Sequence, residues 1–218
     1  MKTNFATLGV SAKVNTSTLD CDLIHRSSVS SILEWALDAG KAAGIVTTTR
    51  ITHATPAAGY AHVSSRKWES SIPSDVYGSQ ECKDIARQLV EDYPGNRLNV
   101  VLGGGLREFT PGNSPDDEMD TGKSKEGKRK DGKNLIDQWF ERKGKIANLD
   151  KSEYKFVTTS AEMKNADLNR VKYLFGLFSS GHMDYEQMRD KSLDGQPSLT
   201  EMTETAIKVK DLIKIWMV

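Results

Sequence analysis

The sequence has little cysteine, no excess of charge and no long apolar run, and each shortage removes a class of protein. Two cysteines, Cys21 and Cys82, are too few for a disulfide framework or a zinc ribbon. They either pair with each other or stand as two separate buried thiols. Thirty basic residues against thirty acidic ones leave a net charge of zero. That balance excludes binding to nucleic acid, or to an anionic membrane surface, by bulk charge. No stretch approaches the ~18 consecutive apolar residues of a membrane-spanning helix. The opening Met1-Lys2-Thr3-Asn4-Phe5-Ala6 has no apolar core of the secretion-signal type. What is present is ordinary: 37% hydrophobic residues in 218 are enough to build a core, so the chain is not a disordered one.

Periodicity predicts alternating helices and strands. Val29, Ile32, Leu33, Ala36 and Leu37 fall on one helical face. They predict a helix over 28–44, capped near Ser28 and ended by Gly44. The β-branched run Ile45-Val46-Thr47-Thr48-Thr49 follows as a buried strand. The grammar then repeats. Cys82, Ile85, Ala86, Leu89 and Val90 form a second stripe, followed by Leu98-Asn99-Val100-Val101-Leu102 as a strand. Leu135, Ile136, Trp139 and Phe140 mark a third helix, with Tyr154-Lys155-Phe156-Val157-Thr158 as its strand. A last helix starts near Ser198, and the apolar Ile213–Val218 at the end has no cap. This rhythm predicts an α/β fold with a largely parallel sheet. Two stretches interrupt it. Residues 50–81 are long for a connection, and long connections in compact domains usually carry function. Residues 110–133 switch from acidic to basic and read as a solvated surface insertion.

The densest polar constellation runs from Thr49 through Arg50, His53, Thr55 and His62 to Arg66 and Trp68, just past a strand end. Open α/β sheets place their ligands there. A threonine hydroxyl and a histidine suit a hard cation or its waters, and an arginine fork suits phosphate. On the residues alone, His53 reads first as a hydrogen-bonded structural histidine rather than a ligand, and Arg66 as a surface charge. Gly103-Gly104-Gly105 lacks the Gly-Lys-Ser/Thr ending of a phosphate loop and reads as a tight turn. Asn15-Thr16-Ser17 fits a glycosylation acceptor, with meaning only on the secretory route.

Several of these segments together resemble the animal alkaline phosphatases. They are Gly44–His62, Cys82–Ala86, Val101–Gly105, Asp131–Leu135, Gly176–Phe178 and Pro197–Thr203, in the family's order. The resemblance implies part of a three-layer α/β/α sandwich around a central, mostly parallel sheet. It implies a metal-dependent phosphomonoesterase with zinc and magnesium, acting through a phosphorylated serine. Arg66 matches the arginine that grips phosphate, and is the catalytic and substrate-binding residue to expect. Thr55 matches a magnesium ligand, and His53 one that reaches magnesium through water. Glu118, the carbonyl of Phe178 and Asp194 fall at a calcium site, where Ser179 replaces a second carboxylate. Cys21 and Cys82 match a disulfide. The family's homodimer, its extracellular or cell-surface location and its GPI anchor are implied for the intact protein, without nucleic-acid binding.

The departures matter as much. The family's Asp-Ser nucleophile segment is missing, since no Asp-Ser pair occurs. The Gly-His-His segment that feeds zinc is missing too, and Asp211-Leu212-Ile213-Lys214 stands in its register. Residues 1–218 therefore read as an internal part of one alkaline phosphatase domain, inactive by itself. The alternative is a non-catalytic phosphate- or metal-binding descendant of the family.

Overall fold

The computed structural model describes residues 3–78, 82–112 and 126–209. Glu118 and the apolar end at 213–218 lie outside them. Along the chain run α1 (Cys21–Arg26), α2 (Ile32–Asp38), β1 (Gly44–Arg50), α3 (Ala54–Ala57), α4 (Ile85–Glu91) and β2 (Val100–Gly104). Then come α5 (Leu135–Gly144), β3 (Tyr154–Val157), α6 (Ser160–Lys164), β4 (Tyr173–Leu177) and α7 (Leu199–Lys208). The sheet has the order β1-β2-β4-β3, and every pairing is parallel. Gly44 is level with Val100, Val100 with Leu174, and Tyr154 with Tyr173.

Parallel strands need apolar cover on both faces, and two core clusters supply it. Val101, Phe175 and Leu177 pack with Ile85, Ala86 and Leu89 of α4 and with Leu135, Ile136 and Trp139 of α5. Val100, Leu102 and Leu174 point the other way, against Met163 of α6 and Met202 and Ala206 of α7. The period-two alternation along β2 and β4 thus sorts the side chains into two helical layers. The expected α/β fold is what forms.

Several expected boundaries move, each for a local reason. The helix expected over 28–44 is only α2. Ser31, not Ser28, accepts the Glu34 N–H at 3.2 Å, while the Ser28 hydroxyl donates to Ile24 at the end of α1. Gly40, at φ +69°, leads the chain away from the helix. Gly44 opens β1 instead, where a Cβ would lie 2.8 Å from the Val100 carbonyl oxygen. The second stripe helix begins at Ile85, because Asp84 accepts the Arg87 N–H at 2.9 Å. The glycine triplet is mostly strand: Gly103 and Gly104 end β2, and only Gly105 turns, at φ +97°. Strand β4 was not expected as a strand. At the end of the polar insertion, Lys128 and Arg129 are buried rather than solvated.

Cys21 and Cys82 form a disulfide, with Cα atoms 5.5 Å apart across 61 positions. It fastens α1 to the lead-in of α4. On the chain-entropy argument a loop of that length is worth roughly 4 kcal/mol at most. Reduction is expected to lower the midpoint of denaturant unfolding by an amount of that order. An unchanged midpoint with a thiol reagent present would count against it.

Candidate functional site

Strand β1 delivers Arg50 to the carboxyl end of the sheet, and a tight turn follows. The buried Tyr60 hydroxyl donates to the Ile51 carbonyl at 2.9 Å and pins that turn. His53 then stands at the start of α3, a single turn whose Pro56 falls where no helical N–H is needed. Arg66 arrives on a separate segment. That segment is held by the antiparallel bridge of Val63 with Leu8 and by the Arg66 N–H on the Ala6 carbonyl, at 2.8 Å.

Two ion systems meet here. Arg50 grips Glu69 with two parallel bonds, Nη2 to Oε1 at 2.7 Å and Nε to Oε2 at 2.9 Å. The Thr52 hydroxyl adds a third at 2.5 Å. Burial alone raises the Glu69 pKa, but the bonds from Arg50 and Thr52 outweigh it and hold the carboxyl below its ordinary range. A depressed carboxylate stabilises the fold above the unfolded pKa and stops doing so as pH falls through the folded one. The chain is expected to lose stability between about pH 5 and pH 3 more steeply than its Glu69→Gln variant. Parallel melting-temperature curves over that range would refute it.

Arg66 has a different partner. Its Nη2 lies 2.7 Å from Nε2 of His53. Burial first, and the Arg66 charge second, push the His53 pKa down, so the imidazole is neutral at pH 7. A cationic donor on Nε2 assigns the ring proton to Nδ1. That atom is buried and has no hydrogen-bond partner among the described residues. The His53 ring also meets the edge of His182 at 5.0 Å between centroids. His182 in turn accepts the Arg50 N–H on Nδ1 at 3.1 Å. Among the described residues no carboxylate pairs with Arg66, so its guanidinium keeps donors to offer.

The residues expected to share this site are only partly brought together. Arg66 and His53 touch, and Thr55 lies exposed on α3 two positions from His53. Phe178 follows β4 and is buried, its N–H on the Gly103 carbonyl at 2.8 Å. Asp194 is exposed on the stretch that docks Leu193 and Gly195 onto the start of α6. Ser179 turns its hydroxyl to the His182 carbonyl at 2.9 Å. Asn15 is exposed. Among the described residues no three of His, Cys, Asp and Glu converge as a metal-binding group. Glu69 and His182 had no signal in the sequence, and Arg50 was visible only as part of a polar run.

A parallel sheet between helical layers, with polar and cationic side chains gathered beyond β1, defines an α/β protein whose ligand end is the carboxyl edge of its strands. The alkaline phosphatase family pattern matches residues 1–212. The tissue-nonspecific alkaline phosphatase of Gallus gallus is 43% identical over 213 residues, covering 96% of this chain and 38% of the relative. A membrane-bound alkaline phosphatase of Bombyx mori is 39% identical, covering 96% and 36%. The crystal structure of the Thermus thermophilus alkaline phosphatase superposes with a TM-score of 0.65 at 26% identity, over 99% of this chain and 34% of that one. This chain belongs to the alkaline phosphatase family, and it spans under two-fifths of the length of these relatives. Among the described residues no helix is long and apolar enough to cross a membrane.

Proposed function

We propose that these residues supply the phosphate-orienting part of a phosphomonoester hydrolase. The observation that carries this reading is Arg66, a guanidinium without a carboxylate partner among the described residues, held against neutral His53 where the sheet presents its ligand. A planar fork of this kind donates two parallel hydrogen bonds to two oxygens of a phosphoryl group. A neutral imidazole behind it fixes the fork without competing for the anion. Glu69 neutralises Arg50 nearby, so the field that an incoming phosphate meets is that of Arg66.

A magnesium ion fits the chain's own donors in part. The Thr55 hydroxyl is a hard oxygen, and the partnerless Nδ1–H of His53 can donate to a metal-bound water. When bound, magnesium would neutralise charge on the phosphoryl group. Zinc does not fit the described residues, which hold no convergent ligand set. For calcium they offer the Phe178 carbonyl and the exposed Asp194, too few for six to eight oxygens. Zinc ligands, the serine nucleophile, Glu118 of the calcium site and the homodimer partner belong to the proposal for the intact protein. The disulfide and the exposed Asn15 acceptor favour an extracellular or cell-surface product, with a GPI anchor read only from the family.

The test uses the longer protein that contains these residues. With zinc and magnesium it is expected to hydrolyse p-nitrophenyl phosphate. Arg66→Ala is expected to raise the inhibition constant for inorganic phosphate by about tenfold or more and to slow turnover without abolishing it. Phosphate inhibition that is unchanged in Arg66→Ala would overturn the assignment. Phosphate binding without turnover would favour the non-catalytic alternative.

A further inference from the structure

At the other end of the sheet, where β1, β2 and β4 begin, the chain forms a cleft of about 1050 Å³. The end of α2, the loop before β2 and the end of α5 enclose it. Its lining carries five cations, Lys41, Arg97, Arg142, Lys143 and Lys145, against one carboxylate, Asp38. Asp38 is already engaged, accepting the Tyr93 hydroxyl. In a chain whose charges sum to zero, such a cluster leaves a strong local positive field.

The floor of the cleft is the most telling part. The Lys143 side chain is 2% exposed, yet among the described residues no carboxylate pairs with it. Its ammonium donates to the Asn96 carbonyl at 2.8 Å and lies 3.6 Å from the centre of the Tyr173 ring. A buried ammonium has three donors, and one carbonyl plus the ring faces of Tyr173 and Trp139, the latter 5.7 Å away, leave it short of an anion. Burial, and then the charge of Arg97, depress the Lys143 pKa to about 7, the mark of a cation without its counter-ion. Arg97, Lys41 and Lys145 stand exposed at the rim, and among the described residues none is paired with a carboxylate.

We propose that this cleft is a binding site for an oligophosphate, one phosphoryl group meeting Lys143 at the floor and the next ones meeting Arg97 and the other rim cations. An ammonium point charge beside a guanidinium fork suits a tetrahedral oxyanion with several acceptor oxygens. The volume exceeds what one phosphate fills, and the four cations around Lys143 already outnumber its charges, so a chain of two or more groups is the matching ligand. A floor cation only 2% exposed favours a slender phosphate chain over a duplex backbone. The site lies across the sheet from Arg66 and does not rest on the phosphatase reading.

Calorimetric titration of the 218-residue chain with sodium tripolyphosphate at low ionic strength is expected to show saturable binding. Lys143→Met and Arg97→Gln are each expected to weaken it about tenfold or more, because each removes a charge-assisted bond. Arg97→Gln changes only an exposed side chain, so it tests the proposal even where Lys143→Met fails to fold. Arg66→Ala, which removes the phosphate-holding fork at the other end of the sheet, is expected to keep the binding that Arg97→Gln weakens. Inorganic phosphate is expected to bind more weakly than tripolyphosphate. ATP run in parallel separates the sources: tighter binding than tripolyphosphate assigns a nucleotide, and equal binding a free oligophosphate. No binding, equal binding in Arg97→Gln, or loss in Arg66→Ala alone would overturn the proposal.

Discussion

Given p-nitrophenyl phosphate at alkaline pH with zinc and magnesium, the purified 218-residue chain is expected to release p-nitrophenol no faster than a protein-free control. The expectation follows from what covalent phosphoryl transfer needs. An oxygen nucleophile must be activated, and charge on the transferring group must be neutralised by metal ions. The sequence holds no Asp-Ser pair of the kind that carries the family's nucleophile. Among the described residues no three metal-binding side chains converge. Arg66, His53 and Thr55 remain, and they orient rather than react. Residues that act as a set do not each keep a share of the rate when the others are gone, because their effects are far from additive. An ordinary enzyme turns over at about 10 per second, so the expected loss is complete on the scale of the assay. Zinc-dependent release that survives further purification would place a nucleophile and a metal site within these 218 residues.

The fold was legible in the sequence wherever one period ran long enough. The apolar stripes of α4 and α5 and the β-branched run of β1 announced themselves because each buries one kind of surface. Strand β4 was hidden because Tyr173–Leu177 is short, follows a polar stretch and contains Gly176. That glycine has a packing reason that periodicity does not reveal: a Cβ there would lie 2.7 Å from the Leu102 Cδ2 on the neighbouring strand. The expected helix over 28–44 failed for a related reason. Its stripe continued past the true cap at Ser31, and Ile32, on that stripe, is exposed.

The candidate site was legible in its polar density but not in its pairing. Arg50, His53 and Arg66 all lie in one run of sequence, and nothing local says which arginine is neutralised. Glu69 decides it, by taking Arg50 in a bidentate grip and leaving Arg66 to His53. His182 joins from 132 positions away along the chain, through the Arg50 N–H. Such a contact is set by sheet topology and has no trace in spacing. The family resemblance pointed to Arg66 and His53 singly, and the geometry adds that they touch.

The same blindness to pairing explains Arg129, which the charge run 123–130 presents as one solvated cation among several. It is 1% exposed. Its guanidinium donates to both oxygens of Asp84, at 3.1 and 2.9 Å, to both oxygens of Asp131, at 3.1 and 2.6 Å, and to the Glu108 carbonyl at 3.3 Å. Asp84 also caps α4. The network therefore ties the return of the 110–133 stretch to the start of α4, two positions from Cys82. Asp84→Ala is expected to cost about 3 kcal/mol or more, because it leaves a buried guanidinium short of a counter-ion. About 1 kcal/mol of that is the lost cap. The cost stays near the low end of the range for broken buried pairs because Asp131 remains bound. Arg129→Met in the Asp84→Ala background is expected to add less than it does alone, since the stranded charge is then gone. The coupling should be about 1–3 kcal/mol by a double-mutant cycle in denaturant unfolding. Additive losses, or an Asp84→Ala cost no larger than a helix cap, would show that Arg129 is not held as a buried cation by Asp84.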